Sequence, residues 1–263
     1  MMLIGFFVAI PALNVIDVGA FSAAKLLPIE NKDAFFASPP HFYGVFDGVS
    51  QCPQSRSFAQ TLAKTACAKL GSSVRGELMD QVQPALWQAL GDAQQYKGCS
   101  TACVMRVDLQ REQPVLGCFN LGDCVCMVLR PGESALAVAE TTDIKMHANG
   151  APYQLGGLGW KTDKIEDGLT FSFDVNAGDV VLCFSDGVAN NLTPDEIAQI
   201  SSACARQPAS ELAKTLVESA RQKKLVDDDA TVVALRLGEG SGPTQPILTD
   251  EAPWEKFGVR LFG

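Results

Sequence analysis

Phe42-Tyr43-Gly44-Val45-Phe46-Asp47-Gly48-Val49-Ser50 is an apolar run, rich in aromatic and β-branched residues, that ends on an aspartate and a glycine. Such a run reads as a strand covered on both faces. The arrangement recurs at Val180-Val181-Leu182-Cys183-Phe184-Ser185-Asp186-Gly187. A third aspartate, Asp228, follows Val226 and stands before Ala230-Thr231-Val232-Val233, and is read with the other two as a strand-end carboxylate. Strand ends can converge, but three negative charges at one point repel unless a cation lies between them. Magnesium and manganese take carboxylate and carbonyl oxygens, so the pattern points to metal-dependent hydrolysis. The competing reading makes each Asp-Gly an ordinary turn. That reading is the better one for any single pair, whereas the three together favour the ion.

Outward from these aspartates, 54–70 carries Phe58, Leu62 and Ala66 at helical spacing, and 76–95 carries Leu78, Val82, Leu86 and Leu90 likewise. Pro84 interrupts the second pattern and leaves open a helix that begins only there. Strands are expected over 100–108, 114–120 and 125–129, a glycine-rich loop over 142–159, and strands over 169–175 and 179–184. Thr193-Pro194-Asp195-Glu196 has the residues of a capping box with proline in the first turn. An amphipathic helix over 208–224 and a strand over 231–237 follow. Short antiparallel neighbours set between helices give an α+β class, a β-sandwich flanked by helices rather than a doubly wound sheet.

The 263 residues, 47% of them apolar, suffice for one large domain. A net charge of -9 argues against a sequence-independent nucleic-acid binder, which needs clustered cations. Nine cysteines, an odd number and without a CxxC, suit small buried side chains in a reducing compartment. Cys124 and Arg130 have the Cys-x5-Arg spacing of cysteine phosphatases, but the residues between them are an apolar strand without the glycines of a phosphate loop. The apolar start, 1–15, is either a leader or a first strand, and is too short to span a bilayer comfortably. A main domain over 16–238 is then followed by a tail, 239–263, whose Trp254 and Phe257 could dock on the domain or on a partner in a complex.

In chain order, Lys32-Asp33-Ala34-Phe35, Phe46-Asp47-Gly48-Val49-Ser50, Cys99-Ser100-Thr101-Ala102, Asn120-Leu121-Gly122-Asp123, Ser185-Asp186-Gly187-Val188-Ala189-Asn190-Asn191 and Asp228-Asp229-Ala230-Thr231-Val232 resemble the metal-dependent protein phosphatases of the PPM type, or type 2C. The Asp-Gly-Val triplet is similar to that of an organellar branch, which implies a plastid or a mitochondrion. The resemblance implies two sheets flanked by helices and a cleft for two magnesium or manganese ions. Asp47 would bridge both ions, the Gly48 carbonyl would hold the second, and Asp186 and Asp228 would complete the first. Asp123 would help form a third, weaker metal site, or is a turn residue. No protein nucleophile is implied: water activated by the ions attacks a phosphoserine or phosphothreonine of a protein substrate.

One departure divides this reading. The family's first motif is Glu-Asp-Ala, and its glutamate binds the second ion, yet Lys32 stands there. An ammonium repels a cation and could pair with Asp47 instead. The Gly-Gly that follows the family's triplet is Ser50-Gln51 here, and 21–32 holds no arginine for the phosphate. Either the protein is an active serine/threonine phosphatase with two ions, or it is a pseudophosphatase with one ion or none, serving as a binding or scaffolding subunit.

Overall fold

The computed structural model describes residues 13–25, 30–71, 74–243 and 245–248. Of the segment 1–15, expected as a leader or a first strand, residues 1–12 lie outside the described residues, as does the aromatic end of the tail, while 13–15 open the first strand. In chain order the elements are β1 (Leu13–Ala23), β2 (Ala34–Ser38), β3 (Phe42–Phe46), α1 (Ser55–Leu70), α2 (Leu78–Ala93), β4 (Cys99–Ser100), β5 (Ala102–Asp108), β6 (Val115–Leu121) and β7 (Val125–Pro131). Then come β8 (Leu136–Thr141), β9 (Leu155–Gly156), β10 (Leu169–Asp174), β11 (Val180–Phe184), α3 (Asp186–Ala189), α4 (Pro194–Ala203), α5 (Ala209–Lys223), β12 (Ala230–Glu239) and β13 (Ile247–Leu248). One sheet has the order β1-β12-β11-β7-β8, and the second has β10-β6-β5-β3-β2-β13. All pairings within both are antiparallel.

Three apolar layers hold these sheets. Phe42 and Phe46 point with Phe36 and Val104 toward α1 and α2, whereas Tyr43 and Val45 point with Cys103 and Met105 into the space between the sheets. The alternation is that of a strand buried on both faces, which is why the opening run is apolar throughout. Each fully buried phenylalanine contributes about 1.5–3 kcal/mol of transfer free energy. On the far side, Leu182, Phe184, Val232 and Ala234 meet Leu212, Leu216 and Val217 of α5. The result is helices, sheet, sheet, helices, as the α+β reading required. All nine cysteines are free and buried, five of them between the sheets.

Three local results differ from the sequence reading. The second helix does not wait for Pro84 but begins at Leu78, started by a capping box between Glu77 and Asp80. Pro84 is tolerated because it lies on the exposed face, where the carbonyl it leaves without a donor can be hydrated. Strands β2 and β8 were not anticipated, and Ile247–Leu248 of the tail pairs with β2 at the sheet edge. Asp228 precedes its strand rather than following one. No helix among the described residues is long and apolar enough to cross a membrane.

Candidate metal centre

Strand register gathers the sequence-predicted residues at one end of the sandwich. Ala34 faces Phe46 across β2 and β3, so Lys32 and Asp47 leave the second sheet side by side. Phe184 faces Val125 on one flank and Val232 on the other, so Asp186, Asp123 and Asp228 leave the first sheet together. Asp33 ties the two ends: its Oδ2 accepts from Ser185 Oγ at 2.7 Å and from Thr231 Oγ1 at 2.8 Å. Asp47 is fixed through its backbone, donating its N–H to Thr101 Oγ1 at 3.1 Å and accepting from the Thr101 N–H at 2.9 Å.

The two Asp-Gly pairs are not turns that need a left-handed glycine, since neither Gly48 nor Gly187 has a positive φ. Both glycines admit another chain. A Cβ on Gly48 would lie 2.3 Å from the Lys32 carbonyl oxygen, and one on Gly187 would lie 2.0 Å from that of Asp229. Each glycine lets a neighbouring loop press against the aspartate before it, which is how separate segments reach one point.

The charges at this point are strongly coupled. Loss of hydration first, then the charges of Asp33, Asp186 and Asp123, push the Asp47 carboxyl well above the usual range. Asp186 is also raised, chiefly by burial and further by the Asp228 charge, against the opposing side-chain hydrogen bonds of Asp47 and Asn190. Burial and the Asp229 charge raise Asp33 to about 7 against the opposing hydrogen bonds of Ser185 and Thr231. Burial and the Asp186 charge raise Asp123 to about 7. Asp33 Oδ1 and Asp123 Oδ1 are buried without a hydrogen-bond partner. Asn190 Nδ2 donates to Asp186 Oδ2 at 3.1 Å and orients that carboxylate.

Two lysines flank this acidic end, and sequence reasoning weighed only one fully. Lys32, buried, donates from Nζ to the Ser50 carbonyl at 2.9 Å and to that of Cys52 at 3.5 Å, not to Asp47. The expected Lys32–Asp47 pair is thus not formed; a different lysine, Lys25, has its Nζ 3.3 Å from Asp228 Oδ1 and donates to Ser50 Oγ at 2.5 Å. Asp229 was missed in the run of three aspartates. Its two oxygens accept the backbone N–H groups of Lys25 at 2.8 Å and Lys32 at 2.9 Å. Glu30, two residues before Lys32, is exposed. Cys124 is buried beside Thr101, and Arg130 pairs with Asp179 at 3.0 Å, so neither forms a phosphate loop.

The donor chemistry suits a hard divalent cation: carboxylates whose affinity for a proton is raised by burial first and by one another's charge second, with two buried oxygens unpartnered. Among the described residues, however, no three acidic, histidine or cysteine side chains already surround a common point. Asp47 and Asp186 meet, while Asp228 is engaged by Lys25.

A pH signature follows from Asp33. Its folded value near 7 exceeds the ordinary 3.8, so between those values the folded state binds more protons than the unfolded one. Its contribution therefore lowers stability as pH rises from about 4 to 7 and levels off above that. Thermal melts in chelator should show a larger decline across this window for the wild type than for Asp33→Asn. An equal or smaller decline in the wild type contradicts the assignment.

Comparison with known proteins gives concordant similarities. A family model described as Stage II sporulation protein E (SpoIIE) matches residues 53–238. The "probable protein phosphatase 2C 80" of Arabidopsis thaliana is 27% identical over 215 residues, covering 77% of this chain and 49% of the relative. The chain thus spans about half the length of that relative. Among solved structures, the photosystem II phosphatase PBCP superposes with a TM-score of 0.66 at 19% identity, over 83% of this chain and 97% of that one. The catalytic domain of the serine/threonine protein phosphatase PstP, crystallised with two manganese ions, gives 0.63 at 18% identity, over 86% of this chain and all (100%) of that one. At such identities the structural likeness shows the fold alone.

Proposed function

Because the chain belongs to the PPM (type 2C, SpoIIE-type) phosphatase family, we propose that it hydrolyses phosphoserine and phosphothreonine esters of proteins with magnesium or manganese at the carboxylate end of the sandwich. The observation that carries the reading is the burial of Asp47, from one sheet, beside Asp186, from the other, where loss of hydration and then the neighbouring carboxylate charges raise Asp47 well above the usual range. Two acids forced together in this way stand ready to exchange a proton for a divalent ion. The presence of two manganese ions in the PstP structure supports the same class of ion for this chain.

When bound, the ions supply Lewis acidity that activates water and neutralises phosphoryl charge. Asp47, the Gly48 carbonyl, Asp186 and Asp228 would hold them, and Asp123 would serve a third, weaker position. Asn190 keeps the Asp186 carboxylate oriented, and Asp33 holds the Ser185 and Thr231 ends of the two strands in register. The purified protein should release phosphate from a phosphothreonine peptide in millimolar manganese and not in chelator. No release in manganese overturns the enzyme reading.

A second reading, a pseudophosphatase acting as a binding subunit, is favoured by one observation: an ammonium is built into the place of the second ion's glutamate, and its hydrogen bonds to Ser50 and Cys52 are already made. On that reading Lys32→Glu should add one bound ion by calorimetry and create or raise phosphatase activity. A variant that binds no more metal than the wild type removes Lys32 as the deciding residue. A plastid or mitochondrial location is part of the proposal, and a fluorescent fusion of the full-length protein that stays out of both organelles overturns it.

A further inference from the structure

Two lysines are drawn to the acidic end by one carboxylate. Asp229, itself buried, takes the N–H of Lys25 on one oxygen and that of Lys32 on the other. Both ammonium groups then reach Ser50, Lys25 through the hydroxyl and Lys32 through the carbonyl. What separates them is the remaining contact. Lys32 spends its charge on two neutral carbonyls. Lys25 spends its charge on Asp228, at 3.3 Å, with side-chain exposures of only 12% and 31% for the pair. The Asp228 oxygen that meets Lys25 also accepts the Asp229 N–H at 2.9 Å.

We propose that Lys25 is a built-in counter-cation that competes with the divalent ion for Asp228, so that metal binding requires its displacement. The inference rests on the reading of Asp47, Asp186 and Asp228 as one ligand set. It accounts for a set whose chemistry suits a metal while only two of its carboxylates meet. The pinned backbone N–H holds Lys25 at the site whether or not its side chain is on Asp228, so displacement moves the ammonium and not the strand. The Ser50 hydroxyl, which already accepts from the ammonium at 2.5 Å, remains as its acceptor once Asp228 is released.

The test is manganese affinity, measured by calorimetry and by loss of the free-ion electron paramagnetic resonance signal, on the full chain. Lys25→Met should bind manganese about tenfold more tightly than the wild type, the gain of a partly buried ion pair removed from competition. Lys32→Met should give a clearly smaller gain, because its ammonium is not on a ligand. In an Asp228→Asn background, Lys25→Met should change the affinity less than twofold. Thermal melts in chelator identify any variant that fails to fold, and Lys25→Gln serves as the second substitution. Unchanged affinity in folded Lys25→Met and Lys25→Gln overturns the proposal while the metal reading stands. So does an equal gain in Lys32→Met, or a gain that persists with Asp228→Asn. If neither the wild type nor any variant binds manganese, the ligand-set reading itself fails and this inference falls with it.

Discussion

Asp186→Asn should abolish manganese-dependent hydrolysis of an aryl phosphate, lowering the rate to the level of the reaction without protein. Substituting even the outer partners of metal ligands costs roughly 10–100-fold, and Asp186 is placed among the ligands themselves, so the loss should exceed about 100-fold. The substitution keeps the shape and leaves the N-terminal position of α3 intact, but it removes a charge that bears on Asp47. Manganese should raise the melting temperature of the wild type and leave that of Asp186→Asn nearly unchanged. The second readout separates a lost ligand from a damaged fold, because Asp186→Asn relieves repulsion and its metal-free melting temperature should equal or exceed that of the wild type. A variant that keeps both its turnover and its metal-induced shift would show that Asp186 holds no ion.

Gly187→Ala should be among the most damaging single-methyl changes in the molecule. The new Cβ would fall 2.0 Å from the Asp229 carbonyl oxygen and 2.8 Å from its carbon, and both are backbone atoms. Asp229 has little room to retreat, since its side chain holds the backbones of Lys25 and Lys32. Overpacking of this kind costs about 1–3 kcal/mol, and an immovable backbone neighbour places it at the upper end. Gly91, exposed within α2, is the internal contrast, because nothing lies within 4 Å of its Cβ position. Gly91→Ala should stabilise the protein by about 0.5–1 kcal/mol. Urea denaturation of the two variants should therefore move the midpoint in opposite directions. A Gly187→Ala midpoint equal to the wild type's would mean that the Asp-Gly pair is only a turn after all.

The fold was legible in the sequence where both faces of a strand are buried. The runs at 42–46 and 180–184 are apolar throughout because helices cover one face and the other sheet covers the other. Strand β8 escaped notice for the opposite reason: it is an edge strand, intermediate or exposed along its length, and its residues carry little pattern. At the site, Asp47 and Asp186 stood out because each follows an apolar run, whereas Asp123 was named only through the resemblance. Asp229 did not stand out, because the three consecutive aspartates 227–229 do not reveal which one turns inward. The role of Lys25 was equally hidden. It depends on the Ala23–Ala230 pairing that brings β1 beside β12, a register that composition does not specify. Lys32 was legible as a departure from the motif it resembles, but where its charge goes was decided by the loop at Ser50 and Cys52, which only tertiary structure brings to it.

The central claim is that the carboxylate end holds a divalent ion between segments from both sheets. Anomalous diffraction from crystals of the full chain grown in manganese, recorded near the manganese edge, tests it most directly. The account predicts at least one anomalous peak within coordination distance of both Asp47 and Asp186, with Lys25 withdrawn from Asp228. A map with no peak there, and with the Asp47–Asp186 hydrogen bond and the Lys25–Asp228 pair intact, would contradict it.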